Sequence, residues 1–259
     1  MQVLVCLGIT SVQGAYIMDV PTVVTAQSFQ EAWLKAVKIL MKNDWHVWNL
    51  IVQTTEPESF NEVFHEKVRI FAKEQNFRSP KGNAYIIFPF NLYDPSKGAQ
   101  DLFDKYNNPR GLYERKFKRN WGTYFRRLSH VDNSDNENCQ LHNLINAINN
   151  SDKVFKAAYT LIIQRPGKEL VRNRGGPCLN YIAVQLKPGN PKEISLLCVY
   201  RNHDFLERAY GNYWGLTKLL QFIAHETDSK PKRVTCVSSH SYVKDKKRAL
   251  KQLVKSLEE

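Results

Sequence analysis

The sequence predicts an α+β fold. Segments whose apolar residues recur at helical spacing are interspersed with segments that alternate like strands, and two strand-like segments are joined by a Pro/Gly turn. No internal repeat or low-complexity linker is visible, so residues 1–259 read as one continuous domain with an irregular, charged excursion over 93–139. With 42% hydrophobic and 12% aromatic residues, a chain of 259 residues can bury a sizeable core without staples.

The opening stretch MQVLVCLGITSVQGAYIM lacks the basic start of a signal peptide, and its alternation and β-branched content suit a strand. In SFQEAWLKAVKILMKN, Ser28 is placed to cap a helix and Glu31 stands three residues on, as in a capping box. VWNLIVQTT is a strand. ESFNEVFHEKVRIFAKEQN is a second helix or a long connection, and NAYIIFPFNL reads as a short buried strand ended by its proline. CQLHNLINAINN is a helix closed by asparagines, and FKAAYTLIIQRP a strand stopped at Pro166. CLNYIAVQLKPGNPKEISLLCVYRN is a hairpin in form. GLTKLLQFIAHET carries apolar residues at i, i+3, i+4 and i+7 of a buried helix. RVTCVSSHSYV closes the sheet, and KDKKRALKQLVKSLEE is a terminal amphipathic helix.

Five cysteines (Cys6, Cys139, Cys178, Cys198 and Cys236) are odd in number, far apart and never in a C-x-x-C pair. That suggests neither a disulfide framework nor a metal cluster and favours a reducing, cytoplasmic setting. No apolar run approaches the roughly 18 residues that span a bilayer, so no membrane partner is expected. Net charge is +12, from 37 Lys+Arg against 25 Asp+Glu, which favours phosphorylated or polyanionic partners or simply makes a solvated basic surface.

Four polar interruptions fall at the ends of these elements. Cys178 begins one strand, YRNHD (200–204) ends the next, GNYWG (211–215) precedes the long helix and SSHSY (238–242) ends the last strand. Each has a plain structural reading: a buried cysteine, a surface Arg201, a turn at Asn212, a satisfied His240–Tyr242 pair on one strand face. Together they offer a thiol nucleophile, a guanidinium suited to phosphate, an amide able to read a base edge, and a His/Tyr pair able to bond a sugar hydroxyl. That is the inventory of a mononucleotide site.

At these residues the chain resembles the thymidylate synthase family, most closely its short archaeal-type branch. The likeness rests on GGPCL at the cysteine, YRNHD in place of an R-S-x-D phosphate motif, GNYWGLTKLL, and SSHSY in place of H-x-Y. EAWLKAV, VWNLIVQTTEP, GTYFRRL and QLHNLI follow the same order; the likeness covers most of the chain and is strongest over 121–242. It implies a thymidylate synthase-like fold with a mixed sheet and flanking helices, and a homodimer packed sheet to sheet. It also implies one-carbon transfer from 5,10-methylenetetrahydrofolate to carbon 5 of a pyrimidine nucleoside monophosphate such as dUMP, giving a methyl or hydroxymethyl product. In that reading Cys178 is the nucleophile, Arg201 and Asn202 meet the phosphate, Asn212 reads the base, and His240 and Tyr242 hold the sugar hydroxyl. Asp204 orders the site and Tyr124 lies at its wall.

Departures accompany the likeness. Asn202 replaces a serine, Phe125 a glycine, and Ser238 an aspartate; Lys153 and Lys156 stand near where a partner subunit would lend paired arginines; Glu56, Glu58 and Glu62 lie in the region of the catalytic glutamate. These leave a second reading: a catalytically inactive relative that binds a nucleotide or nucleic acid, the latter suggested by basic and aromatic residues in YERKFKRNWGTYFRRL.

Overall fold

The computed structural model describes residues 20–107, 122–129, 139–151, 153–165 and 175–259. The expected first strand, including Cys6, lies outside the described residues.

Among the described residues, seven strands form one mixed sheet: β1 (Thr22–Ala26), β2 (His46–Thr54), β3 (Thr160–Ile162), β4 (Leu179–Lys187), β5 (Lys192–Tyr200), β6 (His203–Asp204) and β7 (Ser229–Tyr242). Their order is β1-β2-β7-β5-β4-β3, with β6 also paired to β7. β1 was not foreseen, since VPTVVTAQ is too short to show a period. β7, expected to close the sheet, runs through its middle, antiparallel to β2 and parallel to β5. Its alternate residues Val234, Cys236 and Ser238 are buried, as a central strand requires.

The helices among the described residues are α1 (Phe29–Lys42), α2 (Glu62–Glu74), α3 (Pro80–Ile87), α4 (Gly98–Asn107), α5 (Tyr124–Ser129), α6 (Gln140–Asn149), α7 (Ala209–Glu226) and α8 (Lys247–Glu258). Ser28 caps α1 by accepting the Glu31 N–H at 3.2 Å. The buried apolar face of α1, Trp33, Ala36, Val37 and Leu40, joins the core, and Trp33 Nε1 donates to the Phe205 carbonyl at 3.1 Å. NAYIIFPFNL is not a strand: Ser79 accepts the Gly82 N–H and Pro80 occupies the first turn, so Asn83 to Ile87 belong to α3. Local capping there outweighs the β propensity of the isoleucines.

GNYWG does not precede the long helix but forms its first two turns. The reason is packing against α3: a Cβ on Gly211 would lie 2.6 Å from the Pro80 carbonyl oxygen, and one on Gly215 2.6 Å from that of Ala84. The two glycines let the backbones of α3 and α7 approach closely. This places Asn212 within a buried helical turn rather than on a surface loop.

One sheet face is buried under α1 and α7. Residues on the other face pair across six strands into a single apolar row, Val23, Ile51, Val237, Val199, Tyr181 and Ile162. Its end members Val23 and Ile162 are 63% and 44% exposed. Among the described residues, no helix is long and apolar enough to cross a membrane.

Candidate active site

Cys178 sits at the mouth of β4, on a loop whose conformation its neighbours dictate. Gly175 and Gly176 adopt φ of +90° and +81°, the left-handed region open to glycine. Tyr124, at the start of α5, accepts the N–H of Cys178 at 3.2 Å and that of Leu179 at 3.4 Å. Arg201, leaving β5, clasps the loop from the other side. Its N–H donates to the Cys178 carbonyl at 2.9 Å, its Nε to the Pro177 carbonyl at 3.0 Å and its Nη2 to the Gly175 carbonyl at 2.8 Å. The guanidinium therefore shapes the cysteine loop as well as supplying positive charge beside it.

Asp204 orders the next turn: its Oδ1 accepts the N–H groups of Leu206 and Glu207 at 2.9 and 3.2 Å, which leads the chain into α7. Burial raises its carboxyl pKa, a shift those backbone bonds oppose. Tyr242, paired with Asp204 across β6 and β7, has its phenol pKa raised by burial and then by the negative charges of Asp204 and Cys178. The cysteine, Tyr242 and Asp204 thus share one electrostatic neighbourhood.

Asn212 is buried and bonds a neighbouring imidazole. Its Nδ2 donates to Nε2 of His203 at 3.1 Å, and Nδ1 of His203 bonds Ser238 Oγ at 3.0 Å. With Nε2 accepting, the Nδ1 of a neutral imidazole carries the proton and donates to the serine. The ring lies flat on Tyr200, centroids 4.0 Å apart, and burial lowers its pKa to about 3. Ser238, where the resembled family carries an aspartate, is thereby the partner of a buried neutral histidine.

His240 and Tyr242 face the same way, their rings stacked 5.5 Å apart. Both nitrogens of His240 are engaged: Nδ1 with Asn202 Oδ1 at 2.9 Å and Nε2 with His46 Nδ1 at 3.0 Å. Trp48 covers the same ring at 4.4 Å. Burial lowers the pKa of His240, and the nearby His46 lowers it further. His46 and Trp48 were missed from sequence because they lie about 200 residues from their partners. Only the antiparallel pairing of β2 with β7 sets His46 opposite Tyr242 and Trp48 opposite His240.

The remaining candidates are placed as follows. Phe125 is buried against Phe88 and Tyr106 and fills the core beside Tyr124. Glu56 and Glu58 are exposed in the turn after β2, and Glu62 begins α2. Lys153 and Lys156 are exposed. Of the basic-aromatic stretch, 113–121 lies outside the described residues. In the remainder Tyr124, Phe125, Arg127 and Leu128 are buried, and Arg127 Nη1 donates to the Ile163 carbonyl at 2.8 Å. The described cysteines Cys139, Cys178, Cys198 and Cys236 are in no disulfide, and among the described residues no group of His, Cys, Asp and Glu could hold a metal ion. A cleft of about 490 Å³ lined in part by Asn149, Lys192, His225 and Asp228 lies at the opposite end of the sheet, where β5 and β7 begin.

No family model matches the chain. Over 69 residues it is 30% identical to a protein of Methanosarcina barkeri (strain Fusaro / DSM 804) described as "Putative thymidylate synthase". That stretch is 27% of this chain and 30% of the Methanosarcina protein, so the match spans under a third of either. The chain is a mixed α+β protein with local similarity to a protein of thymidylate synthase description.

Proposed function

We propose that this protein is a thymidylate synthase-like enzyme that transfers a one-carbon unit from methylenetetrahydrofolate to carbon 5 of a pyrimidine nucleoside monophosphate. The observation that carries the reading is Cys178: a partly exposed thiol at a strand mouth, its backbone fixed by Tyr124 and Arg201, beside Tyr242. A nucleophile held by its own main chain is pre-positioned for attack. The Cys178 thiolate adds to carbon 6, and carbon 5 takes the folate methylene and releases its proton as the folate amine leaves. The methylene now on carbon 5 accepts hydride from the tetrahydrofolate, giving methyl and dihydrofolate, or water, giving hydroxymethyl, and the thiolate leaves carbon 6 to restore the ring. The Arg201 guanidinium, adjacent to the cysteine loop, supplies positive charge for phosphate and thiolate alike.

Folate enters as the second substrate and donates the carbon. Among the described residues, the group of Phe60, Phe90 and Trp214 has the chemistry to stack a flat heteroaromatic carrier, and Trp214 Nε1 is buried without a partner. The open apolar row across the sheet supports a homodimer formed face to face through it.

A second reading, nucleotide binding without turnover, is favoured by the internal engagement of Asn212 with His203 and of Arg201 with two carbonyls. Tritium release from carbon-5-labelled pyrimidine monophosphates separates the two. Folate-dependent release that disappears in Cys178→Ser supports the enzyme. Retained release in Cys178→Ser removes the cysteine from the chemistry, and nucleotide binding with no release in wild type favours the second reading.

A further inference from the structure

The side chains around His240 define a hydrogen-bonded chain with a direction. Asn202 Oδ1 is an acceptor, so the nitrogen 2.9 Å away, His240 Nδ1, carries a proton. A neutral His240 then has a lone pair on Nε2. His46 Nδ1, 3.0 Å from it, must donate, which leaves the lone pair of a neutral His46 on its outer nitrogen, Nε2. His46 is exposed at the start of β2, whereas His240 lies beneath Trp48 and between the rings of His46 and Tyr242.

We propose that His46 Nε2 is a hydroxyl-binding group of this site, and that the relay Asn202–His240–His46 fixes it as an acceptor. The inference rests on the nucleotide reading and deepens it. The sugar hydroxyl is met by an acceptor on β2, with His240 acting behind it as a positioning residue. A group fixed as an acceptor selects a ligand that can donate, so the site prefers a nucleotide bearing a free sugar hydroxyl over one lacking it. The groups facing the relay are His46 and Trp48 from β2, Tyr242 from β7 and Asn202 from the β5–β6 turn. Around Tyr242 lie Asp204, Cys178, Glu207 and Arg208.

Two variants separate the parts of the claim. An asparagine at position 46 can reproduce the Nδ1 donor to His240 but has nothing at the position of Nε2; alanine removes both. Histidine titrations followed by NMR read the relay without any ligand. In His46→Ala the His240 titration is expected to move up, because a neighbouring positive charge is lost, and in His46→Asn the His240 ring is expected to keep the tautomer it has in wild type. Calorimetric binding of dUMP and of its dideoxy analogue reads the hydroxyl. Wild type is expected to prefer dUMP, and His46→Asn to lose about 2- to 12-fold of that preference, the range for one hydrogen bond. An unchanged preference in His46→Asn overturns the proposal even if dUMP binds well. A His240 titration indifferent to His46→Ala overturns the relay. Failure of the wild type to bind either nucleotide, with the NMR titrations as expected, removes the nucleotide reading and with it the assignment of the hydroxyl.

Discussion

Acidification should unfold this protein through His203. The imidazole is buried, neutral, and held between an Asn212 donor and a Ser238 acceptor, so an added proton would set N–H against N–H at the Asn212 contact. Its folded pKa of about 3 is below the ordinary 6.5, so between those values the unfolded chain binds more protons than the folded one. Stability from this group is therefore complete above 6.5 and lost progressively as the pH falls toward 3. Between about pH 7.5 and about pH 5 the linkage amounts to about 2 kcal/mol, a midpoint shift of roughly 4–8 °C for a chain of this size. The folded pKa values of His65 and His240 are also lowered, first by burial, so they add in the same direction; that of Asp204 is raised and acts oppositely at more acid pH. Denaturant unfolding of wild type and of His203→Asn at the two pH values isolates the histidine, since the variant retains every other titrating group. The variant is expected to be less stable at neutral pH but to lose about 2 kcal/mol less on acidification. Equal losses in the two proteins would show that His203 is not the group being titrated.

Three further outcomes follow from the packing and the site. Gly215→Ala places a methyl 2.6 Å from the Ala84 carbonyl oxygen, and overpacking of about 1–3 kcal/mol should exceed the roughly 1 kcal/mol gained in helix propensity; unchanged or raised stability in urea would contradict the close α3–α7 approach. Tyr124→Phe removes the acceptor shared by the Cys178 and Leu179 N–H groups. It should cost about 1–3 kcal/mol and speed amide exchange at both positions, and unaltered exchange would show that the hydroxyl does not hold the loop. Val237→Lys puts a charge in the middle of the apolar row, and light scattering should show a dimeric wild type and a monomeric variant; a monomeric wild type would set aside the proposed interface.

Much of the local structure is determined by the sequence, because caps and periodicity act within a few residues. Ser28 starts α1 by bonding the Glu31 N–H, the asparagines end α6, and the Pro/Gly turn joins β4 to β5. Two stretches depart from that reading, one through a local cap and one through a longer-range contact. NAYIIFPFNL carries strand-forming isoleucines, yet Asn83 to Ile87 fold as helix under the Ser79 cap, and GNYWG looks like a loop until α3 is packed against its glycines. The cysteine, arginine and His/Tyr pair stand out in sequence as polar groups at strand ends. Which atoms they spend on one another does not, because the register of β2 against β7 and the path of Arg201 around its loop involve residues far apart in the chain. Sequence by itself determined most of the helices and strands and the chemical inventory of the candidate site. Only the tertiary structure decided that Asn212 turns inward to His203 and that His46 stands at the outer end of the His240 relay. Both outcomes depend on strand pairing and burial, which fix the neighbours that a polar side chain must satisfy.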